Sequence, residues 1–259
     1  GGIENFKGIG IWAPNGNLYT GSIEYAPNLK WEGVIPLADL ISAKFSLPTK
    51  LTNDANAAAM GEMLYGCAQN MKHFIMITLG TGVGSGIVID GKIVVGHDGF
   101  AGELGHNIVI PGGRLHKGTE FRGNLESYVS AKGVKETALE LLLHYSDWPS
   151  KLRTFNTEDL TSQIVYECAL NGDPIAKEVF DFTGEILGKA ISNFIMFSSP
   201  EAIILFGGLT KAGDLLLKPT QKHMEDNLLP IFRNKVKILF SKLNESDAAI
   251  LGASALVVD

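Results

Sequence analysis

Apolar positions along the chain follow two rhythms. Short, nearly continuous apolar runs at Phe6 to Trp12, His73 to Leu79, Glu201 to Phe206 and Lys235 to Ser241 predict strands, buried at His73 to Leu79 and Glu201 to Phe206. Elsewhere apolar residues recur at steps of three and four, the spacing of a helix with one covered face. The clearest case opens with Asp173 as a capping residue and Pro174 at the first helical position. Ile175, Val179, Phe182, Ile186, Ala190, Phe194 and Phe197 then form its core face, and Pro200 ends it. Further helices are predicted over Ala55 to Gln69, Leu125 to Tyr145, a stretch after Gly207-Gly208, and Asp247 to Val258. Gly86 to Ile89, Asp90-Gly91 and Lys92 to Val95 spell a hairpin on a two-residue turn. Strand and helix patterns alternate without a repeat or a low-complexity linker, so the expected class is α/β.

Glycine changes that picture. Of the 30 glycines in the chain, 12 lie between Gly80 and Gly118, a density typical of tight turns and of backbone that approaches a ligand closely. Leu79-Gly80-Thr81-Gly82-Val83-Gly84-Ser85-Gly86 has the composition of an anion cradle, in which successive N–H groups face a phosphate. It matches neither a P-loop nor a dinucleotide fingerprint, because a hairpin follows it instead of a helix. A plain tight turn accounts for it equally well.

Three further places carry candidate chemistry, each with an ordinary structural reading beside it. Asn53-Asp54 ahead of an alanine-rich helix is a cap or a catalytic carboxylate. Glu103 and His106, three residues apart between glycines, belong to a surface loop or hold the vicinal hydroxyls of a sugar. Glu126 at the head of a helix is a favourable charge at the positive end of the dipole or a ligand contact.

Taken in order, Asn53-Asp54-Ala55-Asn56-Ala57-Ala58-Ala59, the Leu79 to Gly86 segment, Ala101-Gly102-Glu103-Leu104-Gly105-His106 and Ser199 to Gly208 resemble the ROK family of sugar kinases and regulators, most of all its glucokinases. The resemblance runs from the Gly8 to Pro14 strand to Ala248-Ala249-Ile250-Leu251-Gly252-Ala253. It implies an actin-like, ribonuclease-H-like pair of α/β lobes: a small lobe of residues 1–53 with 247–259, and a large lobe of residues 54–246. Asp54 would be the general base in phosphoryl transfer from ATP with Mg²⁺ to a hexose. Asn53, Glu103, His106 and Glu126 would hold the sugar. Gly80, Thr81 and Gly82 would cradle phosphate, with Gly207 and Gly208 near the adenosine. A homodimer is the family expectation. A non-catalytic sugar-binding or sensor protein is the second reading.

Two departures qualify the match. The family's Asp-x-Gly-Gly-Thr hairpin belongs upstream of the first strand, so the first lobe is expected to be truncated at its N-terminus. The family's zinc-binding Cys-x-Cys-x-x-x-x-Cys cluster is replaced by Leu115 to Asn124 without a cysteine, leaving His106, His116 and Glu120 as donors, so structural zinc is not expected.

Composition narrows the function classes. With 45% hydrophobic and 19% charged residues the chain is globular. Its 22 basic against 28 acidic residues give a net charge of −6 without basic clusters, which argues against nucleic-acid and membrane-surface partners. No run reaches the ~18 apolar residues of a membrane span, no secretory leader pattern opens the chain, and two cysteines make no disulfide framework, so a cytoplasmic protein is expected.

Overall fold

A computed structural model describes residues 5–26 and 29–258. In chain order the first elements are β1 (Ile9–Trp12), β2 (Ile23–Glu24), β3 (Val34–Ile35), α1 (Leu37–Phe45), β4 (Thr49–Thr52), α2 (Asp54–Tyr65), β5 (Phe74–Leu79), β6 (Val83–Ile89) and β7 (Lys92–Ile93). There follow α3 (Glu126–Val129), α4 (Ala131–His144), α5 (Ser162–Leu170), α6 (Pro174–Ser198), β8 (Ala202–Phe206), α7 (Asp214–Asp226), β9 (Lys237–Phe240) and α8 (Glu245–Ala255). The class is α/β, as the alternation of patterns predicts. Among the described residues no helix is long and apolar enough to cross a membrane.

Contacts divide the chain into two compact units, residues 1–77 with 84–103 and 241–259, and residues 78–83 with 104–240. The division passes through β5 and β6 of a five-stranded sheet ordered β7-β6-β5-β8-β9. It does not coincide with the boundary expected after Asn53, because α2 packs on α8 and stays with the first unit. That packing is close: a Cβ on Gly252 of α8 would lie 1.9 Å from the carbonyl oxygen of Ala57.

In the first unit β1 and β4 run parallel, from Ile9 opposite Thr49 to Trp12 opposite Thr52. Leu51, Ala13, Ile23, Ala26 and Ala38 form the small core beside them. The hairpin turn falls where the sequence puts it, with Ile89 opposite Lys92 and both turn residues at positive φ, 52° for Asp90 and 71° for Gly91. Helix α2 ends four residues earlier than its alanine-rich pattern suggests. The fully buried Glu62 turns its carboxylate onto the chain beyond the helix, where Oε2 accepts from the Cys67 N–H at 2.8 Å and Oε1 accepts from the Ser241 hydroxyl.

In the second unit β8 and β9 are parallel and α6 is the central helix. Asp173 caps α6, its Oδ1 accepting from the Ala176 N–H at 2.9 Å, with Pro174 next. Gly184 of α6 makes room for Pro219 inside α7, since a Cβ there would stand 2.6 Å from the proline ring. Two expectations need correcting. Phe197, expected on the core face, is 87% exposed at the C-terminal end of α6, although Phe194 and Ile195 before it are buried. The helix expected over Leu125 to Tyr145 is two helices, broken at Ser130, which is extended (φ −85°, ψ 168°) and caps α4 by accepting from the Gly133 N–H at 3.0 Å.

Candidate functional site

The nominated residues fall in both units. Asn53, Asp54 and Glu103 belong to the first. Asn53 is extended (φ −78°, ψ 168°), and its Oδ1 accepts from the Asn56 N–H at 2.7 Å, which closes the first turn of α2. This cap fixes Asp54 as the first helical residue. Its side chain is exposed and its Oδ1 accepts from the Ala55 N–H at 3.0 Å. Asn53 therefore fills the capping role that sequence alone leaves open to either residue. Glu103 is also exposed, on a loop tied to β6 by the Ser85 hydroxyl, which donates to the Gly102 carbonyl.

The second unit gathers most of the remainder. Between β5 and β6 the glycine turn is closed by the Gly80 N–H donating to the Gly82 carbonyl at 3.0 Å. The Gly80 carbonyl accepts from the Ala131 N–H at 2.9 Å, so the break at Ser130 serves to hold this turn. Glu126 reaches back to the same place, where its Oε2 accepts from the Val83 N–H at 2.6 Å. A Cβ on Gly82 would stand 2.6 Å from that oxygen. Glycine at 82 thus admits the carboxylate as well as shaping the turn.

The other oxygen of Glu126 meets His116, with Nε2 2.7 Å from Oε1. His116 lies on a loop that folds back on itself, its N–H donating to the Phe121 carbonyl at 2.8 Å. The His106 ring is 6.0 Å from the His116 ring, and Asn124 Nδ2 lies 3.4 Å from His106 Nδ1. Asn124 is fully buried and its Oδ1 accepts from the Ser127 N–H at 3.1 Å.

Arg114 fastens this loop to the helices. Its Nε and Nη2 form a fork on Glu140, at 2.9 and 2.6 Å. Nη1 donates to the carbonyls of Ser127 at 2.5 Å and Gly133 at 3.1 Å, and Nη2 also donates to the Thr137 hydroxyl at 3.1 Å. The guanidinium stands over the Tyr128 ring, 4.6 Å from its centroid.

The donors do not fit a structural zinc. Four ligands are needed, the segment Leu115 to Asn124 offers no thiolate, and the His116 nitrogens are already engaged by Glu126 and Thr119. Among the described residues no group of three or more His, Cys, Asp or Glu side chains is arranged to hold a metal. Gly207 has φ 103° and approaches so closely that a Cβ would lie 2.7 Å from the Leu79 carbonyl oxygen, whereas Gly80 and Gly208 have open space where a Cβ would be.

Of the nominated residues, Glu126 and Gly82 are brought together, as are Asn53 and Asp54. His116, Asn124 and Arg114 have roles here that sequence reasoning did not assign. For His116 and Asn124 the available signal was the absence of cysteine from Leu115 to Asn124, which says that the loop must be held some other way; nothing in the sequence pointed to Arg114.

Comparison with known proteins follows the same lines. The family model described as "ROK family" matches residues 4–259. A glucokinase of Halalkalibacterium halodurans is 38% identical over 251 residues, covering 96% of this chain and 76% of that protein. A xylose repressor of Caldicellulosiruptor bescii is 29% identical over 98% of this chain and 63% of its own length. Among solved structures, a ROK family glucokinase from Streptomyces griseus in complex with glucose and AMPPNP is similar at a TM-score of 0.81, with 30% identity over 97% of this chain and 81% of that one.

Proposed function

Because the chain belongs to the ROK family and has the actin-like fold of its sugar kinases, we propose that it phosphorylates a hexose at its terminal hydroxyl with ATP. The observation that carries this reading is Asp54, an exposed carboxylate fixed at the head of α2 by the Asn53 cap. A carboxylate so displayed is suited to receive the proton of an attacking hydroxyl. In this reading Asn53, Glu103, His106 and Glu126 bind and orient the sugar through its hydroxyls. Gly80, Thr81 and Gly82 face the phosphates, and Gly207 and Gly208 lie beside the adenosine. ATP with Mg²⁺, when bound, supplies the transferable phosphoryl group with its charge neutralised. No step needs zinc, and elemental analysis is expected to find none held by the chain. The reading places the protein in the cytoplasm as a homodimer, which light scattering checks.

Repressor relatives support a second reading, a sugar-binding sensor without turnover. A coupled ATP-consumption assay over a hexose panel, run beside calorimetry on the same preparation, separates the two. Glucose-dependent ATP consumption supports the kinase. Binding without turnover supports the sensor, and neither binding nor turnover with any hexose overturns both.

A further inference from the structure

We propose that His116 is a positioning residue that aims Glu126 at the sugar, acting as a neutral imidazole with its proton on Nε2. The inference rests on the reading of Glu126 as a sugar contact. Its basis is the hydrogen bonding around the ring. The Thr119 backbone N–H donates to Nδ1 at 3.2 Å. An N–H has no lone pair to offer, so Nδ1 is the acceptor and carries no proton. The Thr119 hydroxyl, 2.8 Å from the same nitrogen, then also donates to it. A neutral ring with a bare Nδ1 holds its proton on Nε2, and Nε2 is the atom 2.7 Å from Glu126 Oε1. The Thr119 N–H thus sets the tautomer that Glu126 requires, and the hydroxyl conforms to it.

The consequence for Glu126 is orientation. Each carboxylate oxygen has two lone pairs. One on Oε1 faces His116 and one on Oε2 faces the Val83 N–H at 2.6 Å, so the plane of the group is set from two directions. The side chain keeps 18% of its surface exposed, and the unused lone pairs can accept hydroxyls there. His116 itself is held in place: its carbonyl accepts from the Glu120 N–H at 2.8 Å, closing the turn that carries Thr119 to the ring. Arg114, two residues earlier, fastens the base of that turn.

Two substitutions distinguish positioning from mere loop structure. His116→Asn keeps an acceptor near the place of Nδ1 for Thr119 but cannot reach Glu126. His116→Gln carries an N–H donor near the place of Nε2. Both are examined by thermal melting, glucose calorimetry and steady-state kinetics, and the imidazole ¹⁵N NMR spectrum of the unaltered chain reports the tautomer directly. The expected result is a bare Nδ1 and a protonated Nε2 for His116. Glucose Kd and KM rise about tenfold in His116→Asn with kcat within twofold, and stay within threefold in His116→Gln, the scale of one hydrogen bond to a charged group. A ring protonated on Nδ1, an Asn variant that binds like the unaltered chain, or a Gln variant as impaired as Asn would overturn the proposal. Should His116→Asn not fold, the NMR spectrum and the Gln variant still decide it. An unaltered chain that ignores glucose would count against the proposed function, whereas the tautomer tests the His116–Glu126 arrangement by itself.

Discussion

Asp54 and Glu126 both open a helix, yet their surroundings differ almost completely. Asp54 follows a residue that caps for it, lies exposed, and takes a hydrogen bond from the next N–H along its own helix. Glu126 follows Leu125, which makes no side-chain cap, and both of its oxygens are engaged by groups from elsewhere in the chain. A carboxylate left accessible can take up a proton, while one held from two sides is better suited to accept hydrogen bonds in a fixed direction. Position in a helix does not separate these roles. The neighbours do.

The largest effect that would test this contrast is at Asp54. Asp54→Asn preserves an acceptor for the Ala55 N–H and removes the proton acceptor. It should cut kcat at least ~10²-fold while glucose still binds. Unchanged turnover would reduce Asp54 to an ordinary first-turn charge and end the contrast.

Next is Glu126→Gln. Val83 and His116 both donate to this side chain, and an amide can present its oxygen to only one of them. Glucose affinity is expected to fall roughly 10–100-fold, as for hydrogen bonds to a charged acceptor, with a smaller change in kcat. Calorimetry beside initial rates reads the difference, and a kcat loss as large as that of Asp54→Asn would mean the two carboxylates share a role.

Arg114→Met asks whether the Glu126 side depends on a built loop. Losing the fork on Glu140 and the bonds to Ser127, Gly133 and Thr137 should cost about 2–4 kcal/mol and lower the melting temperature by roughly 5–10 °C. A calorimetric melt within about 1 °C of the unaltered chain would show that the loop is held by something else.

The smallest effect extends the comparison to a third carboxylate, Glu62, which is fully buried. Burial, and then Glu62 beside it, push the Cys67 thiol up to about 12 from 9.0. The folded state therefore favours the protonated thiol. Its contribution to stability is whole below pH 9.0 and is lost as pH rises toward about 12. Cys67 should react slowly with thiol reagents at pH 8, and Cys67→Ala should flatten the decline in stability above pH 9. Labelling as fast as a free thiol would contradict the assigned environment.

Sequence reading reached β5, the Asp90-Gly91 hairpin and α6 because each is decided locally, by an unbroken apolar run, a turn pair or a cap followed by proline. It missed the break at Ser130 because the apolar spacing continues through it. The break exists for a distant partner, the Gly80 carbonyl, which draws the Ala131 N–H. It overran α2 past Gly66, where the helix ends and the Glu62 carboxylate bonds the Cys67 N–H beyond. At the site, the Asn53-Asp54 pair was legible as a pair, although which residue caps needed coordinates. His116 was visible only as a leftover zinc donor in a segment without cysteine. Its link to Glu126, ten residues on, exists only after the loop doubles back.

That loop also differs in which chemical insults its own fastening can withstand. A segment fastened by thiolates and a metal comes apart when peroxide oxidises its sulfurs or a chelator removes the ion. Between Asn107 and Leu125 this chain has no sulfur to oxidise, and a guanidinium fork on a carboxylate does the fastening. The bond is formed as the chain folds, without waiting for metal delivery, and peroxide and chelators leave it untouched.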